Sequence, residues 1–197
     1  MSLRERKKAE TRQRIADRAT VLFATRGFDN VTIAEIAEAS DVSKVTVFNY
    51  FPRKEDMFFD RFPQVTELIT TAVEKADGSP VTAMRALITD LAEQRHPIGG
   101  LEDRYAHFWR TVLGSAALRA RAREAVDEFT AQLAALIAET TDDQDPALTA
   151  AVIFATCRTV FVAHAVRVLD GEPAAEVTRD YVTALGAAFD RLAAGWA

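Results

Sequence analysis

A single cysteine, Cys157, is all the thiol chemistry the 197 residues contain. An internal disulfide framework and a cysteine-rich metal site are therefore excluded, and the usage fits a reducing compartment. Long apolar runs are also lacking, since none approaches the roughly 20 residues that a bilayer-crossing helix needs. The amino-terminal stretch MSLRERKKAETRQR carries charges where a leader peptide would place its apolar segment. No membrane partner is expected, and the chain is expected to stay in the cytoplasm. Period-two alternation never persists beyond a few residues, so the fold class is all-α. Neither a glycine-rich phosphate loop nor a Ser-His-Asp arrangement stands out.

What the chain does have is uneven charge. The net charge of -5 argues superficially against a nucleic-acid partner, but the average hides a division. Residues 1–56 carry 11 Lys/Arg against 9 Asp/Glu, and the first 14 residues alone carry 6 against 2. The remainder carries 13 against 20. A basic arm ahead of an acidic body is the asymmetry expected when one end of a protein meets phosphates and the other does not. A frayed, charged terminus would look the same.

Helix punctuation is clear. Ser79-Pro80 and Asp145-Pro146 each supply an N-cap followed by a first-turn proline, while Gly78, Gly99, Gly171 and Gly195 stand where helices should stop. The spacing predicts helices at about 5–26, 32–39, 43–50, 54–76, 80–96, 101–113, 115–140, 146–169 and 173–194. About nine helices result. Pro63 falls inside the fourth and removes one backbone donor, which predicts a kink or break near Phe62.

The amino-terminal module reads in detail. Ile15, Ala19, Leu22 and Phe23 form one apolar face of the first helix, which Gly27 ends. Thr32 and Glu35 make a T-x-x-E capping box for a helix only two turns long, with Ile33, Ile36 and Ala37 on its apolar side. A helix so short persists only by packing. The stretch ASDVS supplies a tight turn, in which Asp41 tolerates the turn conformation, Val42 seeds the core and Ser43 caps the next helix. In that next helix Val47 and Phe51 turn inward, leaving Lys44, Val45, Thr46, Asn49 and Tyr50 near the exposed face. Helix, tight turn and helix make a helix-turn-helix whose second helix offers its side chains to base edges in the major groove. The chemistry fits: Lys44 can donate to guanine O6 and N7, the methyls of Val45 and Thr46 can meet a thymine methyl, and Asn49 and Tyr50 can donate to phosphate oxygens. Lys54, after Pro52, can hold a further phosphate with its charge and the exposed N–H groups of the helix it opens.

The stretch TIAEIAEASDVSKVTVFNYFPRKEDMF, preceded by LFATRGFDNV, closely resembles the signature of the TetR family of bacterial transcriptional regulators over about the first 60 residues. The resemblance implies base reading by Lys44, Val45 and Thr46, and phosphate contacts by Thr32, Asn49, Tyr50 and Lys54, with Ser43 capping the reading helix. Family members commonly carry Gly or another small residue where Val45 stands, Tyr where Phe48 stands and Gly where Asp41 stands. Val45 should stiffen the helix and favour an apolar base contact, Phe48 lacks the hydroxyl for a phosphate bond, and Asp41 can take up the turn at some cost. The implied organisation is a DNA-binding domain over residues 1–53 and a helical effector-binding and dimerisation domain over 54–197.

In the helix from Pro146, Phe154, Cys157, Phe161, His164 and Val168 lie on one stripe, and Leu148, Ala151, Ala155, Thr159, Val162 and Val166 on another. The last helix adds Val177, Tyr181, Leu185, Ala188 and Leu192. Periodicity does not say whose surface each stripe meets: both can fill one core. The resemblance implies that the last two helices pair with their twins in a homodimer, so that two reading helices about 34–36 Å apart match one turn of a palindromic double-stranded operator. It further implies that a small molecule enters the body and spreads the reading heads. Phe59, Phe62, His107, Phe108, Trp109, Phe129, Phe154, Phe161 and His164 are the candidate wall of a site for a small hydrophobic effector, although aromatic side chains more often simply pack.

Other classes remain open at this point. Glu93 and His96 have the E-x-x-H spacing of di-iron bundles, but a second such motif and further inward carboxylates are not found. No cofactor is expected, and a metal-dependent enzyme is the weaker alternative. A regulator answering to a protein partner instead of a small molecule is the other, and a fully packed body interior would favour it. The expected function is a homodimeric repressor, not an enzyme, released from its operator by a small hydrophobic molecule.

Overall fold

The computed structural model describes residues 2–76, 78–99 and 101–195. Among the described residues there are ten α-helices and one 3-10 turn, and no strand: α1 (Leu3–Arg26), α2 (Ile33–Ala39), α3 (Lys44–Tyr50), α4 (Lys54–Phe58), α5 (Phe62–Glu74), α6 (Pro80–Glu93), the 3-10 turn Asp103–Tyr105, α7 (Ala106–Gly114), α8 (Ala116–Thr140), α9 (Pro146–Leu169) and α10 (Ala174–Gly195). The all-α expectation holds. The break foreseen at Pro63 is there as well: α4 stops at Phe58, and α5 opens with Pro63 in its first turn, where a missing N–H costs nothing.

The chain forms two compact units. The first comprises Met1–Asp60 together with Thr111–Arg121, the second Arg61–Arg110 together with Ala122–Ala197. The first unit is thus larger than the 1–53 segment read from the sequence. Met57 and Phe59 are buried in it, and the end of α7 with the first turns of α8 joins it from far along the chain.

In the first unit α1 buries Ile15, Ala16, Ala19 and Phe23 on one face. Gly27, at a φ of 82° that favours glycine, turns the chain back. Phe28 then packs 5.0 Å from the Phe23 ring, and Phe58 closes the cluster at 6.0 and 5.7 Å from the two. Ile36, Val47 and Phe51 bring α2 and α3 into the same core. Each such side chain, fully withdrawn from water, contributes about 1.5–3 kcal/mol. Val112 and Leu118 are buried here too, and Ser115 Oγ donates to Asp29 Oδ1 at 2.8 Å while Arg121 Nε donates to Asp56 Oδ1 at 2.8 Å.

The second unit is a helical bundle in which α10 packs along α9 and α6, and α6 along α5. Its core includes Ile69, Val73, Met84, Leu133, Ile137, Ile153 and Val168. Val177, Tyr181, Leu185 and Leu192 of the α10 stripe lie in that same core, joined by Phe189, while Ala188, the fifth stripe residue, is only half-buried. The stripe's partner, which periodicity leaves open, is its own bundle. On α9 the two stripes part company. Phe154, Cys157 and Phe161 pack on the core, while Leu148, Val162 and Val166 stay 50%, 49% and 45% exposed, with Ala151, Ala155 and Thr159 exposed between them. The two stripes therefore do not fill one core. α9 is also, among the described residues, the one helix long and apolar enough to cross a membrane by length and composition. Arg158 and His164 interrupt its apolar run without much lowering its mean hydropathy. Having one apolar face inside the unit and another outside accounts for that composition.

Candidate nucleic-acid interface and the body interior

The site is built around the turn between α2 and α3. Val42 N–H donates to Ala37 O at 3.0 Å and Asp41 N–H to Glu38 O at 3.1 Å, the paired bonds of a Schellman ending in which the residue after the cap is left-handed. That residue is Asp41, with φ 52°. Ser43 follows in extended conformation and caps α3, its Oγ accepting from Thr46 N–H at 3.0 Å and lying 2.9 Å from Thr46 Oγ1. At the other end Phe51 N–H donates to Val47 O at 2.9 Å. Seven residues are thereby held helical at both ends, with Val47 and Phe51 as inward anchors at 0% and 1% exposure.

Opposite those anchors, Lys44, Val45, Phe48 and Asn49 are exposed, and Thr46 and Tyr50 half-exposed. At about 100° per residue Val45 and Asn49 point most directly outward, Lys44 and Phe48 form one flank, and Thr46 and Tyr50 the other. Thr46 uses its hydroxyl on Ser43, so its methyl is what it presents. Phe48, absent from the candidate residues, belongs to this face. Its exposed i+3 position from Val45 was the available signal, set aside because the ring lacks a phosphate-binding hydroxyl.

Two candidate phosphate ligands are engaged inside the unit. Thr32 caps α2: its Oγ1 accepts from Glu35 N–H at 3.3 Å and donates to Glu35 Oε2 at 2.8 Å, and Thr32 N–H donates to the same oxygen at 2.8 Å. These bonds, the backbone one foremost, with Arg26 Nη2 at 2.7 Å from Glu35 Oε1, lower the Glu35 carboxyl from the usual 4.5 to about 2. Lys54 Nζ donates to Phe28 O at 2.9 Å and Val31 O at 3.0 Å, and sits 4.2 Å from the centre of the Phe28 ring. As placed, it closes the loop ahead of α2, adding a second donor to Phe28 O, which already accepts from Val31 N–H at 3.3 Å. Arg12 works similarly, its guanidinium 4.5 Å from the Phe51 ring centre and its Nη2 donating to Asp60 O at 3.3 Å.

Within the second unit the candidate effector residues fall into two aromatic groups. Phe129 meets Phe62 edge-on at 5.5 Å and stacks with Phe154 at 6.5 Å. Trp109 meets Phe108 at 5.1 Å and Phe161 at 5.2 Å, and Tyr181 joins Phe161 at 6.1 Å and His164 at 5.6 Å. The stripe of α9 links the groups. His164 Nδ1 lies 2.8 Å from Val160 O, a carbonyl that can only accept, so Nδ1 donates in that bond. Tyr181 was read as stripe alone, yet it completes the group, with burial raising its hydroxyl pKa. Phe59 lies outside the set, packed on Phe58 in the first unit at 5.3 Å, and His107 is exposed. Beside Trp109 a small space of about 10 Å³ is lined by Leu101, Ala106, Ala165 and Val168. Burial pushes the Cys157 thiol up to about 12, which makes it a poor nucleophile. His96 Nδ1 accepts from Ile98 N–H at 3.2 Å, and no three His, Cys, Asp or Glu side chains among the described residues gather as metal ligands would.

Residues 15–60 match the family described as bacterial regulatory proteins, tetR family. The chain is similar to the HTH-type transcriptional regulator TcmR of Streptomyces glaucescens, 33% identical over 84 residues that cover 42% of this chain and 37% of that protein. It is similar to the HTH-type transcriptional regulator AcrR of Shigella flexneri, 30% identical over 88 residues covering 43% and 41%. The matched stretch thus spans about two fifths of the length of these relatives. In fold it resembles NalD, described as the secondary repressor of the MexAB-OprM multidrug efflux pump in Pseudomonas aeruginosa, at a TM-score of 0.57 and 17% identity, covering 91% of this chain and 97% of that one.

Proposed function

We propose that this chain, whose residues 15–60 match the tetR family of bacterial regulatory proteins, is a homodimeric repressor whose two copies of α3 read a palindromic DNA operator. The observation that carries this is the outward face of α3. Lys44, Val45, Thr46, Asn49 and Tyr50 share it, on a helix too short to stand alone and fastened at both ends by Ser43 and the Asp41 turn. Lys44 donates to a guanine edge, while Asn49 and Tyr50 position the helix on phosphates. Ser43, Thr32 and Lys54 serve the site by holding its geometry. The exposed α9 stripe supports pairing with a second copy, because an apolar row of this length is costly to leave in water.

Control then rests on the body. An apolar effector binding among Trp109, Phe161, Tyr181 and His164 would act by preferring a state in which the two reading helices no longer fit adjacent grooves, about 1.4 kcal/mol of differential affinity for each tenfold loss of operator binding. A second reading, control by a protein partner, is favoured by the small size of the space beside Trp109, about 10 Å³ or roughly one water. An effector must open that interior; a partner need not.

The test is selection of bound DNA from a random duplex pool by wild type, Lys44→Ala and Tyr50→Ala. Lys44→Ala should relax sequence choice by about 1–3 kcal/mol at one position, and Tyr50→Ala should weaken all sequences alike. Retention of one unchanged consensus and affinity by both variants contradicts these roles.

A further inference from the structure

The outward face of α3 holds an apolar edge that the hydrogen-bonding roles leave unused. Val45 is 69% and Phe48 50% exposed, three residues apart on Lys44–Tyr50, so the two side chains are neighbours on one side of the helix. They cannot rotate inward. Val47 and Phe51 occupy that direction, both buried to within 1%, and turning the helix would empty the core and expose them. A valine and a phenylalanine in water beside Lys44 and Asn49 therefore mark a surface whose occupant offers an apolar group bordered by hydrogen-bonding ones.

Phosphates do not answer that description, having nothing for a phenyl ring to cover. Of the groups at base edges in the major groove, the C5 methyl of thymine does, with the O4 acceptor beside it and purine N7 acceptors on neighbouring pairs. Resting on the reading of α3 as the DNA-reading helix, the geometry points to Val45 and Phe48 as a paired edge that selects thymine by its C5 methyl. Phe48 is thus a specificity-determining residue, and Lys44 fixes the register through the adjoining polar groups.

The duplex recovered by wild-type protein from a random pool is synthesised with thymine and again with uracil at the thymine positions of its half-sites. Both are titrated with wild type and with the Val45→Ala/Phe48→Ala variant. Losing one buried methyl corresponds to about a fourfold change, so uracil should weaken wild-type binding by about fourfold per methyl read, and the variant should bind the two duplexes alike. Equal binding of both duplexes by wild type overturns the assignment, and this comparison needs no altered protein. A uracil penalty undiminished in the variant overturns it as well, since another side chain then reads the methyl. Failure of wild type to bind any duplex is a distinct result, which removes the DNA-reading role of α3 and the thymine edge with it.

Discussion

Arg121 and Asp56 join parts of the chain 65 residues apart, Nε to Oδ1 at 2.8 Å, with only 10% and 21% of their side chains exposed. Asp56 stands on α4, a few residues after the reading helix, and Arg121 on the first turns of α8, a helix that continues into the second unit. A partly buried pair is strongly destabilising to break from one side, because the remaining charge stays out of water. Asp56→Ala and Arg121→Ala should each lower stability by about 2–4 kcal/mol in urea unfolding. The double variant should lose at least about 1 kcal/mol less than the sum. Strictly additive losses would mean that the two groups do not act on each other.

The turn of the helix-turn-helix contains two local conflicts, and relieving either should stabilise the protein. Ser40 is 1% exposed and its Oγ has no hydrogen-bond partner among the described residues; Ser40→Ala removes that desolvated group and should add about 1 kcal/mol. Asp41 sits at φ 52°, where glycine meets no Cβ penalty, and Asp41→Gly should add about 0.5–1 kcal/mol. Thermal melts of the two variants provide the check, a drop in Tm for either being the contrary result.

Acid should loosen the first unit through Glu35. Its carboxyl is held at about 2, below the ordinary 4.5, by Thr32 N–H first, then the Thr32 hydroxyl and Arg26. A group whose folded pKa is lowered contributes stability above its unfolded pKa and loses that contribution as pH falls through the folded one. The window is therefore about pH 4.5 down to 2. Over that range the wild-type Tm should fall more steeply than that of Glu35→Gln. Parallel curves would show that the capping carboxylate has no such role.

How much of this was legible in the sequence depended on range. Thr32 with Glu35, Ser43 with Thr46, Asp145 with Leu148 and the break at Pro63 are events within three or four residues, and local chemistry decides them. Lys54 shows the opposite case: its ammonium goes to carbonyls 26 and 23 residues earlier, and nothing near Lys54 announces that. Joining 111–121 to the first unit is likewise a matter of tertiary pairing by Ser115 and Arg121. The α10 stripe was visible as a period, but only packing reveals that Val177, Tyr181 and Leu185 face their own bundle while Leu148, Val162 and Val166 of α9 face outward.

That outward row yields a prediction about assembly. Val162, 49% exposed, can become glutamate with little effect on its own bundle, within about 0.5 kcal/mol for a surface site, yet a charge placed in an apolar pairing surface is unpaired and costly. Val162→Glu should sediment as a monomer where wild type sediments as a dimer, and its operator affinity should fall accordingly. An unchanged dimer would locate the pairing surface elsewhere.

The most direct test is the symmetry of the DNA that wild-type protein recovers from a random duplex pool. Two α3 helices acting together should enrich an inverted repeat with half-site centres about 34–36 Å apart, one helical turn, or a multiple of it. Binding should weaken steeply with added salt. A single unrepeated site bound by one copy, or no enrichment over the starting pool, would contradict a paired reading head.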